Sequence, residues 1–176
     1  MEVFINGKEV QVPEHSSVLD SINISGTAIS QLCKDPDMKP IGACRTCLVE
    51  IEGVRGYPAS CSTPISQGMK ISTTGNKLDL IRKSVLELTA GMVHSDKDDY
   101  KELSRVMESN SISGQVWKSR SREETDVSNP IFNIAMDSCI LCGRCAQACQ
   151  TGHQFIGAID RKERRVGKEC RSRWSP

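Results

Sequence analysis

The sequence predicts an α+β fold made of two small modules joined by a helical and polar linker. Nine cysteines fall into an early and a late group, with none between Cys61 and Cys139. Alternating apolar segments flank Asn6-Gly7, a dipeptide typical of a two-residue β-hairpin turn. Apolar residues at helical spacing then fill the segment 76–93. Together these observations indicate separate sulfur-rich modules rather than one continuous core.

The early module has the order of elements of a β-grasp domain, a small mixed sheet with one helix. After the hairpin, Ser16 or Ser17 can cap a short helix that Gly26 closes. Further strands are predicted at 46–52 and 69–73 from their apolar and β-branched residues.

A longer helix is predicted after this sheet, with Asn76 as its cap and its end near Val93. Its apolar residues follow spacings of three and four, which predicts one buried stripe: Leu78, Ile81, Val85, Leu88 and Met92. The polar segment that follows, 94–129, is expected to be a solvated linker with some helix. The predicted early module, helix with linker, and late module are 1–77, 78–129 and 130–176.

Charge and leader signals exclude several classes of protein. The chain has 23 Lys+Arg against 22 Asp+Glu, whereas a general nucleic-acid binder is usually strongly basic. An odd cysteine count and an amino terminus without a basic-then-apolar leader argue against a secreted disulfide framework. No apolar run approaches the ~18 residues that a membrane-spanning helix needs. We therefore expect a cytoplasmic protein with no nucleic-acid partner and no membrane span, whose late module ends in a basic tail.

The early cysteines follow the pattern Cys33-x10-Cys44-x2-Cys47-x13-Cys61. Plant-type [2Fe-2S] ferredoxins use a similar arrangement with a shorter first gap. Zinc sites usually arrange their ligands as two short pairs, and only one short pair is present here. Gly42 lets the backbone come close, so that amide N–H groups can point at the bridging sulfides. The pattern predicts a [2Fe-2S] centre.

The late cysteines follow the pattern Cys139-x2-Cys142-x2-Cys145-x3-Cys149, the spacing of bacterial [4Fe-4S] ferredoxins. In two-cluster ferredoxins the fourth cysteine of this run binds the other cluster, and a second run supplies the missing ligand. Here only Cys170 follows. The fourth ligand of a single [4Fe-4S] cluster is therefore either Cys149 or Cys170, and a site with only three thiolates is a minor third alternative.

Several segments resemble one electron-transfer family. They are INGKEVQVPEHSSVLDSI, PIGACRTCLVEIEGVRGYPASCSTPISQGM and CILCGRCAQAC, and the likeness covers most of 1–160. The family includes the large iron–sulfur subunit of respiratory complex I and the diaphorase small subunit of NAD-linked [NiFe] hydrogenases. It also includes the electron-transfer arms of [FeFe] hydrogenases and formate dehydrogenases. The resemblance implies that the [2Fe-2S] ligands are Cys33, Cys44, Cys47 and Cys61.

One family motif is degenerate in this sequence. The family carries His-x3-Cys-x2-Cys-x5-Cys after the helix, which binds a further [4Fe-4S] cluster. Here His94 is present, but the three cysteine positions hold Asp98, Lys101 and Met107. We expect that cluster to be absent, together with the family's last cluster, because no second four-cysteine run follows.

No catalytic constellation is evident, since the chain contains neither a GxGxxG motif nor a P-loop. We expect a non-catalytic electron-transfer subunit of an oxidoreductase complex. The resemblance implies an NADH-binding flavin and iron–sulfur subunit on one side. On the other it implies a hydrogenase, a formate dehydrogenase or a transhydrogenase-type flavoprotein, with ferredoxin as a further partner of a bifurcating complex. The alternatives are a stand-alone iron–sulfur redox sensor and a succinate dehydrogenase-like subunit, which needs cysteine runs that are not found here.

Overall fold

A computed structural model describes most of the chain as far as Thr151. The described residues are 1–93, 101–112, 117, 125–127, 133–135 and 138–151. The sequence predictions for His94, Asp98, Cys170 and the basic tail lie outside these residues.

The early module contains a four-stranded mixed sheet with the strand order β2-β1-β4-β3. Its strands are β1 (Glu2–Ile5), β2 (Lys8–Gln11), β3 (Glu50–Ile51) and β4 (Lys70–Ser72). Strand β1 pairs antiparallel with β2 and parallel with β4. Asn6 and Gly7 have φ angles of 52° and 81°, and two positive φ angles are what a type I′ hairpin turn requires. The predicted hairpin and the mixed sheet are confirmed.

The strand predicted at 46–52 is shorter in the structure. Only Glu50 and Ile51 join the sheet, where they pair with β4. Upstream, Leu48 forms an isolated bridge with Ala59 instead. Upstream of Glu50 the chain pairs with the segment that carries Cys61, where the Ser60 amide donates to the Cys47 carbonyl.

Helix α1 (Val18–Ile24) packs on the sheet and is capped by Ser17 rather than Ser16. The amide of Asp20 donates to the Ser17 hydroxyl at 3.1 Å, and the Ser17 amide donates to the Asp20 carboxylate at 2.9 Å. This reciprocal capping box satisfies two amides that a helix start otherwise leaves unpaired. The core between α1 and the sheet is aliphatic: Val3, Ile5, Val12, Val18, Ile22, Val49, Ile51, Ile65 and Ile71.

Helix α2 (Asn76–Ala90) differs from the prediction in its cap, its end and its buried face. Gly75 occupies the cap position without a side-chain bond, so Asn76 is the first helical residue, and the helix ends before Val93. The buried residues are Leu78, Arg82, Leu86, Thr89 and Ala90. Leu88, which was predicted to be buried, is 50% exposed.

The physical reason for this difference is the buried Arg82. Its guanidinium donates to the Thr73 carbonyl at 2.6 Å and bonds to Asp79. Because the Arg82 side chain points into the protein, the buried face of α2 differs from the face that its apolar residues alone predict.

Helix α3 (Lys101–Ser109) lies in the predicted linker, and its Leu103 is buried. Leu103 belongs to an apolar cluster, the α2–α3 cluster: Leu32, Leu86, Val93, Leu103 and Ile112. This part of the linker is therefore packed rather than fully solvated. The remaining elements are β5 (Thr125–Asp126), antiparallel to β6 (Ile134–Ala135), and α4 (Arg144–Thr151).

Within the described helices, none is both long enough and apolar enough to cross a membrane.

Candidate metal centres

The four early cysteines come together at one end of the early module. Cys33, Cys47 and Cys61 are buried, and Cys44 is partly buried. The Cys33 thiol makes hydrogen bonds with the thiols of Cys44 and Cys61, and Cys47 with that of Cys61. The fold thus gathers the four predicted ligands from three separate segments of the chain.

Backbone pairing holds two of these segments together. The Ser60 amide donates to the Cys47 carbonyl at 3.0 Å, next to the bridge between Leu48 and Ala59. Cys61 itself lies in a short 3₁₀ turn, Ser60–Ser62. This pairing fixes Cys61 beside the Cys44-x2-Cys47 turn.

Backbone amides are directed at the sulfurs. The amides of Ala43 and Cys44 donate to the sulfur of Cys33, and that of Cys61 donates to Cys47. Gly42 precedes them with φ +64°, and a Cβ built there would lie 3.2 Å from the Ser62 hydroxyl oxygen. The approach of amides near Gly42 to bridging sulfides stays a prediction, and the acceptor of the Ala43 and Cys44 amides in the structure is the Cys33 sulfur.

The thiols differ in their tendency to ionise. Hydrogen bonds from Cys44 and Cys61 lower the pKa of Cys33. A hydrogen bond from Cys61 lowers the pKa of Cys47 to about 6. The pKa values of Cys44 and Cys61 are raised, first because each is hydrogen-bonded to Cys33. The thiolate is the form of cysteine that binds metal, and the two thiols with lowered pKa values, Cys33 and Cys47, come from different segments of the chain.

The number of early thiols matches a binuclear cluster. A [2Fe-2S] cluster takes four thiolates, two on each of its two irons.

The late cysteines lie on the loop that leads into α4. Cys139 and Cys142 are partly buried, and Cys145 is exposed. Burial raises the pKa of Cys145, and the charges of Cys139 and Cys142 act in the same direction. Leu141 and Gly143 have φ angles of +55° and +75°, so the loop that carries the three cysteines turns sharply twice.

Of the two candidates for the fourth late ligand, the structure describes the position of one along the chain. Cys149 lies within α4, whereas Cys170 is beyond the described residues. Both alternatives therefore stay open.

The loop that carries the late cysteines contacts the loop that precedes Cys44. A Cβ built at Gly143 would lie 2.8 Å from the Cδ1 atom of Ile41, so these residues are in contact. The Arg144 guanidinium forms ion pairs with Asp35 at 3.2 Å and with Glu102 of α3 at 3.1 Å. These contacts join the loop before Cys44, helix α3 and the loop of the late cysteines into one assembly.

Two of the degenerate motif positions are described. Lys101 is exposed at the start of α3. Met107 packs against the α2–α3 cluster. Lys101 thus lies on the surface of α3, and Met107 contributes to the packing of this helix.

Several residues of this region were not among the predicted site residues. Thr46 is fully buried, with its hydroxyl 3.2 Å from the Cys44 sulfur, and Ser60 is equally buried beside Cys47. Arg144 and Asp35 form the ion pair described above. The position of Thr46 inside a Cys-x2-Cys turn was the one available signal, whereas nothing in the sequence indicated a pairing across 109 residues.

Comparison with protein families now defines the class. The family of the 2Fe-2S iron-sulfur cluster binding domain matches residues 1–76, and that of the 4Fe-4S binding domain matches 132–152. The chain is an iron–sulfur protein that carries one cluster of each type.

Its relatives belong to oxidoreductases. It is 40% identical over 84 residues to the NADPH-Fe(3+) oxidoreductase subunit alpha of Geobacter sulfurreducens, which is 48% of this chain and 10% of that protein. It is 29% identical over 154 residues to a Staphylococcus haemolyticus protein provisionally named a formate dehydrogenase, which is 84% of this chain and 15% of that protein. The chain thus spans a small part of the length of these relatives.

A solved structure shares the fold. It is the crystal structure of an NAD+-reducing [NiFe]-hydrogenase in the H2-reduced state, with a TM-score of 0.75 and 22% sequence identity. The likeness covers 86% of this chain and 66% of that one. The predicted α+β fold and the predicted resemblance to iron–sulfur electron-transfer proteins are confirmed.

Proposed function

We propose that the chain is the iron–sulfur wire of a multisubunit, cytoplasmic, NAD(P)H-linked flavoprotein complex. In this proposal it passes single electrons between an NADH-binding flavin subunit and a second redox subunit. The second subunit is a hydrogenase, a formate dehydrogenase or a transhydrogenase-type flavoprotein of the bifurcating kind. The names of the relatives support this class of partner, since each concerns an oxidoreductase.

The ligand assignment is part of the proposal. Cys33, Cys44, Cys47 and Cys61 hold the [2Fe-2S] cluster of a domain at 1–77. Cys139, Cys142 and Cys145, with either Cys149 or Cys170, hold the [4Fe-4S] cluster of a module at 130–176. The segment 78–129 joins the two. The mutual contacts of the four early thiols support the first assignment, and the influence of two late thiols on the third supports the other.

The contact between the two cluster loops carries the functional proposal. Ile41 lies three residues before Cys44, and Gly143 lies between Cys142 and Cys145. Because these two residues touch, little protein separates the proposed cluster positions. An iron–sulfur cluster exchanges an electron without making or breaking bonds, so the role of the protein is to set the distance between cofactors. Adjacent loops suit direct transfer from one cluster to the other.

Purification from the native source tests the complex. A tagged chain is expected to bring with it a flavin-containing subunit, and NADH or NADPH should then reduce both clusters. Recovery of the chain alone, with clusters that neither nucleotide reduces, would contradict the proposal.

The cofactor content is tested separately by iron and acid-labile sulfide analysis with low-temperature electron paramagnetic resonance. We expect about six irons per chain and one signal of each cluster type. A value of about ten irons would show that a further [4Fe-4S] cluster is present.

A further inference from the structure

Two buried hydroxyl groups face the early thiols, and neither belongs to the proposed ligands. Thr46 and Ser60 are both fully buried. The Thr46 Oγ1 atom lies 3.2 Å from the sulfur of Cys44. The Ser60 hydroxyl oxygen is buried on the segment whose backbone pairs with Cys47.

The direction of the Thr46 bond follows from its other contact. The Leu32 amide donates to Thr46 Oγ1 over a long 3.5 Å, so that oxygen acts as an acceptor there. Its own proton is then free to point toward the sulfur of Cys44. A ligand thiolate has no proton to give, so the hydroxyl is the donor whenever Cys44 is ionised. The result is a chain of two hydrogen bonds from the Leu32 amide to the sulfur, and such chains strengthen one another.

Ser60 is held beside Cys47 by its backbone, because its amide donates to the Cys47 carbonyl at 3.0 Å. Its hydroxyl oxygen is buried and has no hydrogen-bond partner among the described groups. A buried hydroxyl without an acceptor is costly, and buried polar groups are rarely left in that state. The sulfur of Cys47 carries negative charge when it binds iron, so we assign it as the acceptor of this hydroxyl in the cluster-bound protein.

We propose that the Thr46 and Ser60 hydroxyls donate hydrogen bonds to the sulfurs of Cys44 and Cys47 and thereby raise the reduction potential of the [2Fe-2S] cluster. Reduction adds one negative charge to the cluster and its sulfurs. A donor aimed at a ligand sulfur stabilises the reduced form more than the oxidised form, and hydrogen bonds to sulfur are a recognised control of cluster potential. Thr46 and Ser60 are positioning residues in this account, because they act through Cys44 and Cys47. The inference rests on the ligand assignment proposed above.

The test is a redox titration of the full chain with its clusters, followed by visible absorption and electron paramagnetic resonance. Thr46→Val removes the hydroxyl and keeps the shape of the side chain. At a fixed ambient potential we expect the ratio of reduced to oxidised [2Fe-2S] cluster to fall about tenfold, which is 59 mV for a one-electron couple. Ser60→Ala should shift the ratio in the same direction. Thr46→Ser keeps the donor and should stay near the wild-type potential.

Thr63→Val is the matched control. Thr63 also lies close to Cys61 in sequence, but its hydroxyl donates to the Ala59 carbonyl at 2.8 Å rather than to a sulfur. Its removal should leave the potential unchanged. An unchanged potential in Thr46→Val, or a shift in Thr46→Ser as large as that in Thr46→Val, would overturn the inference. If Thr46→Val does not retain the cluster, Ser60→Ala decides, and its potential must then be lower than that of the wild type.

Cys44→Ala separates this inference from the ligand assignment beneath it. Loss of the [2Fe-2S] signal in Cys44→Ala, combined with unchanged potentials in both hydroxyl variants, would contradict the role of the hydroxyls but agree with Cys44 as a cluster ligand. A normal [2Fe-2S] signal in Cys44→Ala would show that Cys44 is not a required ligand of the cluster.

Discussion

At the scale of single residues, Gly42 combines a left-handed backbone with a close neighbour. Its φ angle is +64°, and an added Cβ would lie 3.2 Å from the Ser62 hydroxyl oxygen. Gly53 has a similar φ of +79°, but nothing lies within 4 Å of its added Cβ. A comparison of alanine substitutions at Gly42 and Gly53 therefore separates the cost of the backbone conformation from the cost of crowding beside the early cysteines.

We predict that Gly42→Ala accelerates loss of the [2Fe-2S] cluster, while Gly53→Ala does not. Both changes introduce a side chain at a positive φ angle, at a cost of roughly 1 kcal/mol or more in folding stability. Only Gly42→Ala also disturbs the turn that aims the Ala43 and Cys44 amides at Cys33. The decay of the visible absorbance in the presence of an iron chelator measures the difference. Equal decay rates in the two variants would show that crowding at Gly42 is unimportant.

The fourth ligand of the late cluster is another question for single residues. We predict that Cys149→Ala and Cys170→Ala have unequal effects on the [4Fe-4S] signal. The substitution that removes the ligand should abolish the signal or convert it to a three-iron form, and the other should leave it intact. Iron analysis and electron paramagnetic resonance of both variants measure this. Full retention of the four-iron signal in both would mean that neither thiol is required.

Most of the chemistry at this scale was visible in the sequence, because cysteine spacing is nearly specific for cluster type. The hydroxyls of Thr46 and Ser60 were not visible in the same way. Threonine and serine are common residues, and their role depends on burial and on the direction of one proton. The ion pair between Arg144 and Asp35 was hidden for a different reason, since tertiary contacts across a hundred residues leave no local pattern.

At the scale of elements, the capping box of α1 stabilises the helix that packs against the Cys61 turn. Burial opposes ionisation of Asp20, but hydrogen bonds from the Ser17 hydroxyl and amide outweigh it and lower the Asp20 pKa. A lowered carboxyl pKa in the folded state stabilises the fold above the unfolded pKa of about 4. That contribution is lost only as the pH falls through the folded pKa.

We predict that Asp20→Asn lowers the unfolding free energy by about 0.5–1 kcal/mol at neutral pH. The gap from the wild type should stay constant from about pH 8 to pH 5, because Asp20 remains ionised throughout that range. Chemical unfolding followed by circular dichroism measures it, with the exposed Glu14→Gln as the control for loss of one charge. A difference in unfolding free energy between the wild type and Asp20→Asn that disappears between pH 7 and pH 5.5 would contradict this account.

The helices also show where sequence periodicity fails. The apolar spacing of α2 predicted Leu88 as buried, yet the structure buries Arg82 and Leu86. Periodicity assigns every arginine to solvent, so it cannot anticipate one whose guanidinium donates to the Thr73 carbonyl inside the protein. The prediction of the hairpin at Asn6-Gly7 was correct because the conformation of such a turn depends on local residues and has few alternatives.

At the scale of the whole molecule, Arg144 links the late module to the early one. Hydrogen bonding to Asp35, together with the charge of Glu102, raises the pKa of Arg144, so the guanidinium stays charged throughout the working pH range. Each partly exposed ion pair contributes only about 0.2–1 kcal/mol. Their importance lies in orientation, since they fix the late loop against Ile41.

We predict that Arg144→Gln weakens the magnetic interaction between the two reduced clusters, because the late loop loses its fixed position. Electron paramagnetic resonance of the fully reduced protein measures the broadening, and Arg105→Gln in α3 is the control with the same charge change. High salt should reproduce part of the effect in the wild type, since exposed charges are screened. The same broadening in Arg144→Gln and the wild type would show that apolar contacts alone set the docking.

The parallel pairing of β1 with β4 has a consequence for biosynthesis. All four early cysteines lie in the stretch of chain between these two strands, so the sheet closes around them only when β4 is in place. A ribosome must therefore release the first seventy or so residues before a binuclear cluster can be enclosed.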